Sequence, residues 1–368
     1  MSAAFLLPSL KAQISFTQLP FPADAIATDG TVATAIDGQA YRWTPTLGAT
    51  ALRPLPGQIS SSALDISSDG SAIVGEATHG PRLSEAVLWT STSVIGLGNP
   101  LGMSTSALGV SGNGSVVTGF VGGEAFRWTQ TTGLVGLGYL AGRTGSYAND
   151  ISNDGSTIVG TSQGGSSFPL YSSEAFRWTA ETGMVGLGHF NGGDQSIANA
   201  VSQDGSVVTG FANLDGLNRA FRWTAAGGIV GLGDTGNRES EGLAISADGS
   251  IIVGSSDLFE FNDRGGFMWT SRAGFRAFDD VLADLGVRIH GAEQFVPYAI
   301  SPNGRYIGGN AWFAGEGNRP WILDRGPQGF TPVPEPSTYG LASAALITLA
   351  VVWRRRASLV NRLPVMKS

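Results

Sequence analysis

Residues 63–75 read Ala-Leu-Asp-Ile-Ser-Ser-Asp-Gly-Ser-Ala-Ile-Val-Gly, and residues 151–160 read Ile-Ser-Asn-Asp-Gly-Ser-Thr-Ile-Val-Gly. Both carry an apolar stretch, an Asp-Gly-Ser turn and a β-branched stretch that ends in glycine. An Asp-Gly or Asn-Gly pair between β-branched runs marks a hairpin, because glycine tolerates the positive φ such turns require. The pattern recurs along the chain. Its turn glycines are Gly30, Gly70, Gly114, Gly155, Gly205, Gly249 and Gly304, separated by 40, 44, 41, 50, 44 and 55 residues.

A second hairpin follows within each unit. Glu124-Ala125-Phe126-Arg127-Trp128-Thr129 leads through Thr132-Gly133 to Leu134-Val135-Gly136-Leu137-Gly138. The same series returns at Ala175 to Gly188 and Ala220 to Gly233, with looser versions from Ala40, Ala86 and Gly266. Four short strands at this period predict one blade of a β-propeller. A β-solenoid is the main rival, but its coils repeat over shorter lengths. The seventh unit has two strands around Gly304 and a third at Pro320-Trp321-Ile322-Leu323, but no fourth. A spare strand, Ile14 to Leu19, precedes the first unit. If it completes the last blade, the ring closes and loses its open sheet edges. The expected fold is all-β: seven four-stranded blades over residues 14–326, closed by the N-terminal strand. Asp279 to Gly286 has the apolar spacing of a short helix with Gly286 as its stop. Insertions at 161–173 and 255–265 are expected to project from one rim, where loops carry function.

Composition agrees with a turn-rich β-protein: 54 glycines, 42% hydrophobic residues and 14% charged residues. Cysteine is absent, which excludes disulfides and thiolate metal sites. Net charge is −7, and the only lysines are Lys11 and Lys367. An acidic body offers no footprint for nucleic acid.

No catalytic constellation stands out. Trp43, Trp89, Trp128, Trp178, Trp223 and Trp269 hold one strand register with an apolar residue two positions back, so both side chains share a face and pack between blades. Leu323 takes that register in the seventh unit. Arg42, Arg127, Arg177 and Arg222 share a position filled elsewhere by Leu88, Met268 and Ile322. The arginine stems are therefore expected to pack, with their heads reaching solvent or an acid. The Asp-Gly-Ser turns lack the alternating acids of a calcium loop and the following Trp of a sialidase Asp-box, and read as hairpins. His79, His189 and His290 have no metal-ligand spacing. A Gly-x-Ser-x-Gly elbow and a phosphate loop are both absent, and no cofactor is expected. The best polar cluster on a loop is Asp257, Glu260, Asp263 and Arg264, a speculative ligand loop.

The C-terminus has a different character. Val333-Pro334-Glu335-Pro336-Ser337-Thr338 precedes an apolar run from Tyr339 to Trp353 and then Arg354-Arg355-Arg356. Residues 327–338 read as a proline-rich linker, 339–353 as a single transmembrane helix and 354–368 as a basic cytoplasmic tail. Fifteen helical residues span roughly 22 Å, short of the ~30 Å hydrocarbon core. Such a span suits temporary retention, with the arginines on the cytoplasmic side. At the other end, Ala3 to Leu10 is a short apolar patch before the small Ala12. It lacks a basic start, and residues 1–13 read as a truncated signal peptide.

Two resemblances follow from these residues. Ala-Phe-Arg-Trp-Thr, then Gly-x-Val-Gly-Leu-Gly, then Ile-Ser-x-Asp-Gly-Ser resembles the HAF-repeat family of extracellular bacterial proteins over residues 25–325. The tail is similar to a PEP-CTERM sorting signal, with Pro334, Glu335 and Pro336 at its tripeptide and Arg354, Arg355 and Arg356 at its basic cluster. It departs in that Ala357–Ser368 extends past the arginines. The tail resemblance implies export, anchoring in the inner membrane through the C-terminal helix, and processing by an exosortase at a cell surface associated with exopolysaccharide and biofilm. The expected function is a non-enzymatic surface module that binds polysaccharide or an envelope protein, or fills the matrix. The alternative is a glycan hydrolase or lyase. Clustered acids in the channel would favour the enzyme, and an apolar channel the binding module.

Overall fold

In the computed structural model of the protein, the described residues are 14–326 apart from 81–82, 100–101, 165–171, 234–238, 260–262, 314 and 316. They form seven four-stranded antiparallel sheets. The third blade shows the pattern. Its inner strand Thr105–Val110 turns at Asn113-Gly114 into Val116–Val121, which pairs with Glu124–Thr129 and then with the outer strand Gly133–Gly136. All seven turn glycines have positive φ, between 67° and 88°. Serine and aspartate shape each turn: Ser152 Oγ donates to Asp154 Oδ1 at 2.7 Å, and Asp154 Oδ1 accepts from Ser156 N at 2.9 Å.

The predicted closure is present. Ser15–Gln18 pairs antiparallel with Gly317–Asp324, setting Phe16 opposite Leu323 and Thr17 opposite Ile322. Arg305 grips Asp324 through two contacts of 2.7 Å, fastening the last long strand to its own turn. The short helix lies at Phe278–Asp284, with Gly286 at φ +73° just beyond its end.

Core clusters form between adjacent blades. Phe126 and Trp128 pack with Ala72, Val74 and Leu88 of the preceding blade. The tryptophan register is an inter-blade position, as expected, and Leu323 fills it in blade seven, fully buried. A buried hydroxyl crosses each of the first five seams. Ser146 Oγ, for example, accepts from Ala125 N at 2.9 Å and donates to Gly138 O at 2.7 Å. Ser61, Thr105, Ser196 and Ser240 accept in the same way from Ala40, Ala86, Ala175 and Ala220.

Arg42 lies near the charges of Asp29 and Asp69, as expected, but three heads of the arginine row also make a contact that was not expected. These heads turn inward to the next blade: Arg127 Nε donates to Gly155 O and Arg177 Nε to Gly205 O, at 3.5 and 3.3 Å, and Arg42 Nη1 donates to Gly70 O. Those carbonyls close the Asp-Gly-Ser turns, so one repeat element holds the next.

Candidate functional site in the central channel

Each inner strand of blades two to six contains one extra residue. The register shifts between Ala63 and Asp65, between Ala107 and Gly109, and at the matching points of blades four, five and six; blade seven shifts between Pro297 and Ala299. A bulge re-aims the inserted side chain. Leu64, Leu108, Asn149, Asn199, Leu243 and Tyr298 are these residues, and with Asp24 of blade one they line a cavity on the propeller axis. The cavity occupies about 240 Å³.

At the turn end of the cavity the blades join in a ring. Backbone N–H groups of Thr28, Asp69, Gly112, Asn153, Gln203 and Ala247 donate to the carbonyls of Ser68, Gly112, Asn153, Gln203, Ala247 and Pro302 at 2.8–3.2 Å. Pro302 has no N–H to continue the series, and Asn303 supplies its side chain instead: Nδ2 donates to Thr28 O at 3.0 Å. Gln203 Nε2 also donates to Ser68 Oγ at 2.8 Å, joining blade five to blade two across the axis.

Two partly buried carboxyl groups, Asp65 and Asp150, also line the channel. Asp65 Oδ1 accepts from Ile66 N and Oδ2 from Val110 N of blade three, both at 2.8 Å. Asp150 repeats this with Ile151 N at 2.7 Å and Val201 N of blade five at 2.8 Å. Burial pushes Asp65 up to about 8, helped by the like charge of Asp150, against the two backbone donors. Burial pushes Asp150 up to about 7. Burial also raises Asp24, against Thr34 and the Ala35 amide, and raises Tyr298, which lies near Asp24. No Lys, Arg or His lines the cavity among the described residues.

The residues singled out from sequence lie elsewhere. In the blade-six hairpin, Asp257 pairs with Arg264 and Phe259 with Asp263, while Glu260 falls outside the described residues. The second strands Thr157–Gly164 and Ile251–Phe259 each begin at an Asp-Gly-Ser turn, so their far ends lie at the opposite face of the propeller. Pro334, Glu335, Pro336, Arg354, Arg355 and Arg356 also lie outside the described residues, as do residues 1–13 and the apolar run 339–353. Among the described residues, no helix is long and apolar enough to cross a membrane, and no group of three His, Cys, Asp or Glu residues is placed to hold a metal. The channel residues escaped sequence reading because they sit inside ordinary strand motifs. The one available signal was Asp65 and Asp150, acids at a register that holds Ala or Gly in the other units.

These features define the class: a closed seven-bladed β-propeller with an axial cavity. Residues 332–356 match the PEP-CTERM protein-sorting motif, which implies an exported protein processed by an exosortase. No curated protein sequence matches the chain. Among solved structures, the β-propeller domain of the Trilobed protease from Pyrococcus furiosus, which has an open velcro topology, is 11% identical over 84% of this chain and 96% of that one, with a TM-score of 0.54. TolB from Acinetobacter baumannii is 12% identical over 80% of this chain and 79% of that one, with a TM-score of 0.44. The Pyrococcus likeness is one of fold. Here the velcro is shut by the pairing of Ser15–Gln18 with Gly317–Asp324.

Proposed function

We propose that this is an exported, exosortase-sorted propeller of the HAF-repeat type that acts as a binding or structural module at the cell surface or in the extracellular matrix. Its ligand would be polysaccharide or another envelope protein. The observation that carries the reading is the sorting motif at 332–356 behind a closed propeller. Asp24, Asp65 and Asp150 line the channel, a lining that by itself favours an enzyme, but both oxygens of Asp65 and of Asp150 already accept backbone N–H groups. Carboxyl groups held this way cross-link blades and are poorly placed to transfer a proton to a substrate.

One observation favours a second reading. A carboxyl held protonated near neutrality is the usual state of a glycosidase general acid, and Asp65 and Asp150 are both raised in that direction. One experiment separates the two. The purified body, residues 14–332, is co-sedimented with exopolysaccharide from the producing strain, and the same tube is assayed for reducing ends. Saturable binding without new reducing ends supports the module, and new reducing ends support a hydrolase. Absence of both sinks the polysaccharide ligand and leaves an envelope protein or a filler role.

The sorting reading has its own test. Replacing Pro334, Glu335 and Pro336 with alanine should leave unprocessed protein in the inner-membrane fraction. Normal release from that variant would end the exosortase assignment.

A further inference from the structure

Hydrogen-bond donors and acceptors are unequally committed around the axial cavity. Asn149 Nδ2 donates to Ala198 O at 2.8 Å, and Gln203 Nε2 to Ser68 Oγ at 2.8 Å. Asn199 uses both amide hydrogens, on Glu241 Oε1 at 2.8 Å and Gly242 O at 2.9 Å. Asn199 thus commits both amide hydrogens and Asn149 and Gln203 one each, while none of the three side-chain carbonyl oxygens accepts a hydrogen bond among the described residues. Asp24 adds a carboxyl group and Tyr298 a hydroxyl. Asn153 lines the cavity as well, so the lining carries several uncommitted acceptors beside a few amide donors, and no basic side chain lines it among the described residues.

A guest must supply what the walls lack. An anion would meet Asp24 and the neighbouring acids Asp65 and Asp150 with no cation to receive it. A neutral polyol would satisfy the amide oxygens but leave the Asp24 carboxyl group without a counter-charge. Leu64, Leu108 and Leu243 meanwhile offer apolar wall to carbon atoms. The volume of about 240 Å³ equals the liquid volume of about eight waters at ~30 Å³ each, enough for one substituted six-membered ring.

We propose that the axial cavity binds a compact, hydroxyl-bearing primary ammonium compound. Its ammonium lies against Asp24 and Tyr298, and its hydroxyls lie on the amide oxygens of Asn149, Asn199 and Gln203. This concerns the cavity alone and does not rest on the matrix-binding reading, so a chain that ignores exopolysaccharide and still takes the probe separates the two.

The test is calorimetric titration of the full-length chain in detergent with glucosamine, glucose and N-acetylglucosamine, at a pH where the free amine is protonated. The three probes share a ring and differ at one substituent. Saturable binding of glucosamine is expected, with the other two weaker by about tenfold or more, the scale of a charge-assisted hydrogen bond. Asp24→Asn should weaken glucosamine by about tenfold and Tyr298→Phe by less, with melting temperatures near that of the parent. Equal binding of the three sugars shows that the charge is not read and overturns the proposal. So does the absence of glucosamine binding, or binding that survives both substitutions. If Asp24→Asn does not fold, Tyr298→Phe and the three-sugar comparison still decide.

Discussion

Asp65 and Asp150 stand where the other repeats carry Ala or Gly, and each ties its blade to the next through a backbone N–H. Their folded-state values lie above the ordinary 3.8, so the folded protein holds protons that the unfolded chain releases. The resulting stability is fully present below about pH 4 and is lost as pH rises through about 7 to 8. Thermal melting across that window should therefore show the higher midpoint on the acid side. The double change Asp65→Asn and Asp150→Asn should flatten the slope, while lowering the acid-side midpoint because each amide turns an N–H toward a backbone N–H. A slope unchanged in the double variant would mean that other groups set it. Arg177 has a milder role, holding Gly205 O in the turn of the next blade and Thr157 Oγ1 on the second strand of its own. Arg177→Met copies the residue at Met268 and should cost about 1 kcal/mol in urea denaturation. Phe176→Ala, at a fully buried ring, should cost about 3–5 kcal/mol. The stem-packing role of the arginines was legible from the Leu88 and Met268 alternatives. Their grip on the next turn was not, because a repeat motif does not show which neighbour a side chain meets.

Among elements, the closing strand and the inner-strand bulges contrast in how far sequence reveals them. Ser15–Gln18 was recognisable because the last unit lacked a strand and the chain began with a spare one. Leu19 N donates to Pro320 O at 2.9 Å, and the two-residue alternation of an antiparallel ladder makes Thr17–Ile322 a hydrogen-bonded pair. Thr17→Pro removes that donor and should release the seam. Hydrogen exchange should quicken along 317–324 while blades three to five stay protected, and uniform protection would show that the seam does not depend on this strand. The bulges had no comparable signature. Ala-Leu-Asp-Ile and Ala-Asn-Asp-Ile read as plain strand, and only the pairing with 72–75 and 157–160 shows one residue too many. That extra residue turns Asn149 and Leu64 toward the axis.

Around the whole molecule, seven hydrogen bonds at the turn mouth link each blade to the next, the last made by the Asn303 side chain. Asn303→Asp would set a carboxylate against the Thr28 carbonyl, and should cost about 1 kcal/mol or slightly more by thermal or urea denaturation. Asn113→Asp, at the other asparagine turn, keeps the accepting oxygen used by Ser111 and Ser115 and should be nearly neutral. Equal effects would mean that the ring does not need the amide. The sequence by itself determined the repeat, its seven copies, the four-strand blade and the closing strand, because these follow from local turn chemistry and period-two alternation. Only the tertiary structure decided that Gln203 meets Ser68, 135 positions away, that Asp65 and Asp150 share an axial environment, and that Asn149, Asn199 and Gln203 line one cavity. Those relations depend on how far each blade is rotated about the axis, which is set by packing between sheets and not by the order of residues within one.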